Sequence, residues 1–431
     1  MVETLPMQSN FILLPSQAEL EDAVGRFGTP FYLYDSDILR HQVLSLRFLF
    51  DGLASIHFAA FCNSNPNLLG CIRELGLGCM VSSSVELRIA QSAGFSPTNI
   101  IVTGAPFAEE ELELFTDTKV LVNLDSESQL ELFASFPSAD RAGVRLNLAN
   151  CVASASAPFN SCITSESRVG LFEDALPSFF HKAERLGIAV ESLHVYTGTN
   201  QLEAVTMLRV ADRLFQIAAQ YPSVTTINLG GGFGLPYRSG KESFPWKQFC
   251  FELTNLKNQF TAKYGREIKL QIEPGRALMG PAGFLVSKIV DFKSRGDGQC
   301  FVTTDTSLSN FPRPYIYGER GQHAVTHVAP SQRAPNPLIA TVCGNAVASG
   351  DRIAERVQFH STPEVGDLIV VHDAGAYGYS MSSQFCGRLR PAELLLENGI
   401  LHCIRRRESL KSAVDTFGDA NVAPPIDCLM E

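Results

Sequence analysis

The stretch His57-Phe58-Ala-Ala-Phe61-Cys-Asn63-Ser-Asn65-Pro66 reads as a short buried strand that stops at a turn. A largely apolar run, His57–Phe61, gives way to Asn, Ser, Asn and Pro, residues that favour turns over continued extension. An apolar run without strict alternation suits a strand covered on both faces, as in a parallel sheet. Seven more segments of this kind follow: Cys79–Ser82, Ile100–Thr103, Val120–Leu124, Gly143–Asn147, Ser192–Tyr196, Thr226–Leu229 and Lys269–Glu273. Helical stretches lie between them. Ser84-Val-Glu-Leu-Arg-Ile-Ala-Gln-Ser-Ala-Gly94 ends on a glycine suited to a C-cap, and Pro177–Leu186 places its proline in a first helical turn. Eight strand–helix units in residues 30–284 predict an α/β fold, a (β/α)8 barrel of TIM type. A doubly wound sheet is the alternative on pattern alone.

After residue 285 the helical periodicity fades. Short β runs at Gly283–Ile289, Gln299–Thr304, Pro337–Cys343 and Asp367–Val371 are separated by turns such as Arg295-Gly-Asp-Gly and Glu397-Asn-Gly. This predicts a C-terminal all-β, barrel-like domain over 285–431, completed by residues 1–29, with Pro30-Phe-Tyr-Leu-Tyr as a crossing strand. The tail after Ser409 is weakly patterned.

At 431 residues, 45% hydrophobic and 19% charged, the chain can bury one large core or two medium ones. A net charge of -10 argues against nucleic acid or an anionic membrane as partner. No apolar run reaches the roughly 18–20 residues needed to span a bilayer, and the N-terminus has no basic-then-apolar signal. Eleven scattered cysteines without a Cys-x-x-Cys pair suit reduced thiols, so a cytoplasmic protein without a metal site is expected.

Three motifs carry chemistry. Asn228-Leu-Gly-Gly-Gly-Phe-Gly234 follows the seventh strand, where consecutive glycines admit a phosphate to backbone N–H groups, or simply permit a tight turn. Glu273-Pro-Gly-Arg276 ends the eighth strand. Its carboxylate can meet a protonated ring nitrogen and its guanidinium a phosphate, or the two form a structural ion pair. Asp373-Ala-Gly-Ala-Tyr377-Gly sits in the β domain and presents either a phosphate-binding hydroxyl or a core tyrosine.

Taken in order, these segments resemble the fold-type III pyridoxal phosphate (PLP) decarboxylases of the diaminopimelate and ornithine branch. The resemblance runs from Thr29-Pro-Phe-Tyr-Leu-Tyr-Asp35 through Ala93-Gly-Phe95 and Ser167-Arg168-Val-Gly170 to Ile404-Arg-Arg-Arg-Glu408. It implies a PLP-binding barrel, a C-terminal β domain, a small-molecule substrate and a head-to-tail homodimer with active sites at its interface. It further implies that Thr199, Gly230, Gly231, Gly232, Arg276 and Tyr377 form a phosphate cup. Glu273 then partners the pyridine nitrogen, and Arg313 and Tyr317, in Arg313-Pro-Tyr-Ile-Tyr317, meet a substrate carboxylate.

The reactive part of that pattern is replaced. The family's Schiff-base lysine falls at Phe61, and the first lysine of the chain is Lys119. The ring-stacking histidine falls at Tyr196, with His194 just upstream, and the second-strand aspartate falls at Met80. The family's Cys-Glu pair, whose cysteine enters the partner's site as an acid, falls at Val347-Ala348; Cys343 lies four positions earlier. Lys269 shares strand parity with Glu273 but stands about 13 Å earlier, at roughly 3.3 Å per residue. The expectation is therefore a divergent homologue in biosynthetic amino-acid metabolism. Its chemistry would use no Schiff base, act on an amino-acid-derived or phosphorylated molecule, and hold PLP noncovalently or not at all. A non-catalytic pseudoenzyme that binds a partner or forms heterodimers is one alternative, and a conventional amino-acid decarboxylase is the second.

Overall fold

The computed structural model describes residues 14–104, 106–151, 161, 163–237, 242–330, 332–415 and 417. The chain divides into two compact units. Of the described residues, those within Asp35–Ala282 and Gly375–Ser380 form one; those within Leu14–Tyr34, Gly283–Ala374 and from Met381 on form the other. Residues 30–34, read above as part of the barrel domain, thus fall in the second unit. Tyr377, read as part of the β domain, falls in the first.

The first strand, β1 (Phe31–Asp35), belongs to the second unit's sheet. The barrel is built from β2 (Ala54–Ala59), β3 (Gly78–Val81), β4 (Ile100–Thr103), β5 (Leu121–Leu124) and β6 (Arg141–Asn147). After the short β7 (Leu171–Phe172) it continues with β8 (Ala189–Val195), β9 (Thr226–Asn228) and β10 (Lys269–Ile272). Neighbours run β5-β4-β3-β2-β10-β9-β8-β6, and β5 also pairs with β6, so eight parallel strands close on themselves; β7 pairs with β6. Each of the eight predicted segments overlaps one of these strands, and several run a residue or two past its end.

The barrel interior is polar. His57 pairs with Gly78, Thr103 with Asn123, Asn123 with Gly143, and Gly143 with Ser192. The glycines make room for the larger inward groups. A Cβ on Gly78 would lie 2.3 Å from the His57 ring, and one on Gly143 would lie 2.0 Å from the Asn123 carbonyl oxygen. His57, Thr103, Asn123, Ser192, His194, Asn228 and Glu273 are all buried, where barrels usually stack branched aliphatic layers. The apolar core lies outside the ring. There Phe233 stacks on Trp246 with centroids 4.7 Å apart, and Phe244, Phe249 and Phe50 close around them.

The second unit is a mixed sheet. Its longest strand, β11 (Gly283–Ser294), pairs antiparallel with β1, with β12 (Cys300–Thr304) and with β16 (Leu368–Val371). A register shift between Ile289 and Asp291 separates the two halves of β11, letting one strand serve several neighbours. The sheet is completed by β13 (Val325–Val328), β14 (Leu338–Cys343), β15 (Arg352–Phe359), β17 (Ala392–Glu397) and β18 (Ile400–Arg405). The preceding helix Gln17–Phe27 is opened by a reciprocal Ser16–Glu19 capping box. Among the described residues no helix is long and apolar enough to cross a membrane.

Candidate functional site

Glu273 follows β10 and is 2% exposed. Its Oε2 lies 3.1 Å from His194 Nε2. Its Oε1 accepts from Asn228 Nδ2 at 2.8 Å and from Thr103 Oγ1 at 3.4 Å. Asn123 Nδ2 in turn donates to Thr103 Oγ1 at 2.7 Å, so four strands converge on one carboxyl group. Burial alone would push the Glu273 carboxyl up. The charge and hydrogen bond of His194 and the hydrogen bond of Asn228 outweigh it and hold the group below the usual carboxylate range. The barrel therefore keeps an ionised carboxylate deep in its interior. The roles of Asn228, Thr103 and Asn123 were not read from the sequence; the signal for them was the shared inward parity of polar residues on neighbouring strands.

The second cluster surrounds Arg276. Its Nη1 donates to the Tyr237 hydroxyl at 2.5 Å, and its guanidinium lies 4.6 Å from the Tyr377 ring centroid and 5.6 Å from that of Tyr237. Arg276 is buried, and the groups acting on its charge are tyrosines, with no carboxylate partner among the described residues. Burial first, with the neighbouring Cys62 thiol, raises the Tyr377 hydroxyl well above its usual range, so it is a neutral donor. Tyr377 is tied down by its backbone N–H, which donates to the Cys62 carbonyl at 2.8 Å. Tyr237 was missed in the sequence because it stands outside the glycine run that precedes it.

Gly230, Gly231 and Gly232 follow β9 and are required by close approach. A Cβ on Gly230 would meet the Val195 carbonyl oxygen at 2.2 Å, one on Gly231 that of Glu273 at 2.5 Å, and one on Gly232 that of Gly198 at 2.2 Å. Gly230 N–H is taken by Asn228 Oδ1, whereas the N–H groups of Gly231 and Gly232 meet no acceptor among the described residues. The same loop is bound to the one after β8, where Gln201 N–H donates to the Gly232 carbonyl at 2.9 Å. On that loop the Tyr196 and Thr199 hydroxyls are 2.7 Å apart.

Phe61 lies on the turn Ala60–Cys62 that follows β2, two residues past the end of the strand in which it was expected. Its ring centroid is 5.8 Å from that of Tyr377, which puts it at the rim of the Arg276 cluster. Met80 is buried on β3. Among the described residues of this unit every lysine is exposed or half-buried, and none ends a barrel strand. Lys269 is exposed at the start of β10, the opposite end from Glu273; Lys241 lies outside the described residues.

The remaining predicted residues belong to the second unit. Arg313 and Tyr317 share the short helix Arg313–Tyr317, with the guanidinium 5.7 Å from the tyrosine ring centroid and Arg313 buried. Val347 is 95% exposed on a loop fastened by Asp351, which accepts from the backbone of Ala346 and Leu308 at 2.8 Å each. Ala348 lies half-buried beside it, while Cys343 sits in β14, where burial pushes its thiol up.

The sequence profile described as "Pyridoxal-dependent decarboxylase, pyridoxal binding domain" matches residues 37–280. Diaminopimelate decarboxylase of Methanothermobacter thermautotrophicus is 29% identical over 92% of this chain and 93% of its own length. That of Deinococcus radiodurans is 31% identical over 91% and 97%. The crystal structure of diaminopimelate decarboxylase from Helicobacter pylori complexed with L-lysine superposes with a TM-score of 0.83 at 25% identity, covering 92% of this chain and 98% of that one. These findings correct the functional expectation drawn from Phe61 and Val347. Relatives that span nearly the whole chain are diaminopimelate decarboxylases, so the expectation of an altered reaction gives way to the conventional-decarboxylase alternative, and a non-catalytic role finds no support. The chain belongs to the fold-type III pyridoxal-dependent decarboxylases.

Proposed function

We propose that this protein is a PLP-dependent amino-acid decarboxylase of the diaminopimelate type, with the cofactor held without a covalent bond to the chain. The observation that carries the reading is the buried Arg276 guanidinium, flanked by two tyrosines, with no carboxylate partner among the described residues. A buried cation is costly unless an anion joins it. Two N–H groups that meet no acceptor among the described residues, on Gly231 and Gly232, supply the neutral donors a phosphate needs. Glu273, kept ionised, suits a protonated ring nitrogen, and three hydrogen bonds leave its carboxylate room to accept a fourth. The residues thus fit both ends of the cofactor. They do not fit its covalent attachment, because Phe61 cannot form an imine.

In this reading Arg276, Tyr377, Thr199 and the glycine loop hold the phosphate, and Glu273 holds the ring nitrogen. Tyr196, on the loop after β8, covers the ring. Arg313 and Tyr317 receive a substrate carboxylate. When bound, the cofactor supplies an aldehyde for the substrate's amine and a ring that takes up the electron pair left by the departing carboxylate. The protein acts as a head-to-tail homodimer, a reading supported by Val347, which is exposed as a residue that meets a partner subunit would be.

The test is carbon dioxide release from meso-diaminopimelate before and after gel filtration that strips unbound small molecules. Activity should disappear on stripping and return with added PLP. Activity that survives stripping would contradict noncovalent binding, and none with PLP in excess would contradict the decarboxylase reading.

A further inference from the structure

In the second unit, Arg313 Nε donates to His323 Nε2 at 2.9 Å, and His323 Nδ1 lies 2.8 Å from the backbone carbonyl oxygen of His372. The chemistry of the partners fixes the tautomer. A carbonyl oxygen can only accept, so Nδ1 carries the proton; an arginine Nε–H can only donate, so Nε2 offers its lone pair. His323 is buried, with its ring edge-on to Phe311 at 5.0 Å, so the imidazole is gripped from the side as well. The His372 carbonyl is itself fixed, because the His372 N–H donates to Ala324 at 3.0 Å and the flanking strands β13 and β16 pair through four residues each. A rigid backbone oxygen thus dictates the proton position on His323, and His323 dictates which edge of Arg313 is engaged from that side.

We propose that His323 is a positioning residue that orients the Arg313 guanidinium for the carboxylate of an amino-acid ligand. The inference rests on the reading of Arg313 given above. With Nε committed to His323, the fork of terminal nitrogens is aligned before the ligand arrives, and affinity gains from freedom already lost. A ligand of the same length without a carboxylate draws nothing from this arrangement.

Titration calorimetry on the PLP-loaded chain with L-lysine and with 1,5-diaminopentane separates the cases, since the two differ only by the carboxylate. In His323→Leu the affinity for L-lysine should fall by about tenfold or more, while that for 1,5-diaminopentane is unmoved. His323→Gln, whose Oε1 can accept where Nε2 does, should recover most of the loss. His323→Asn is too short to reach Arg313 and gives a second loss variant should His323→Leu fail to fold. Equal weakening of both ligands, or no weakening of L-lysine in the loss variants, overturns the role of His323. A chain with native His323 that does not distinguish the two ligands overturns the reading of Arg313, and this inference with it.

Discussion

At Phe61 the phenyl ring, on the turn after β2, stands at the edge of a cup whose other members are suited to an anion. Its centroid lies 5.8 Å from that of Tyr377, which itself covers Arg276. If this is where a covalent anchor would stand, a lysine there should find the cofactor. Phe61→Lys, mixed with PLP and reduced with borohydride, should gain one pyridoxyl group at residue 61, read by peptide mass spectrometry. No adduct would mean that residue 61 faces away from the cup. Arg276, Tyr377 and Glu273 were legible in the sequence because each sits in a short motif with glycine or proline neighbours. Tyr237, His57 and His323 were not. Their roles come from partners far along the chain, and a lone tyrosine or histidine in an apolar segment carries no local signal of what it will face.

Among the elements, the loop after β9 shows how much a glycine run leaves unread about the structure around it. Sequence suggests open space for a phosphate. The structure adds that each glycine also lies against a neighbouring backbone, and Gly232 does so at φ +97. Gly232→Ala should therefore destabilise the barrel unit by about 1–3 kcal/mol through strain alone, and weaken PLP binding as the loop shifts. Urea unfolding and equilibrium dialysis check the two effects, and a variant of native stability and affinity would contradict the geometry. The barrel strands themselves were legible, since buried parallel strands announce themselves as short apolar runs. Their ends were less so: β2 gives way to the turn Ala60–Cys62, whose hydrogen bond from Asn63 N–H to the Ala60 carbonyl depends on no side chain.

Across the whole molecule, the polar interior makes stability depend on pH. Burial lowers His57 from 6.5 to about 4, with the charge of Glu273 opposing, and burial lowers His372 likewise to about 4. As pH falls through 6.5 the unfolded chain takes a proton on each histidine, while the folded chain refuses it until about 4. Stability is therefore full above that window and drains within it, by about 3 kcal/mol for each histidine. Glu273, held low, adds a further loss only below the ordinary glutamate range. Denaturant unfolding across this window should show the fall, and His57→Leu should flatten the part that belongs to the barrel unit; a flat profile in the native chain would contradict the burial of these rings. That a barrel is joined by a separate β domain was legible as a change of texture along the chain. The return of Gly375–Ser380 to the barrel unit was not, because that segment reads locally as another turn between strands.

The protein proposed above is a PLP-dependent amino-acid decarboxylase in which no lysine of the chain holds the cofactor. One measurement addresses both the reaction and the attachment. The PLP-loaded chain is given meso-diaminopimelate labelled in its carboxyl groups, carbon dioxide is collected, and borohydride is then added before intact-mass analysis. Released label, with an unmodified protein mass and the pyridoxyl group recovered on the small amine, is the predicted result. No released label, or a protein that gains a pyridoxyl group, would contradict it.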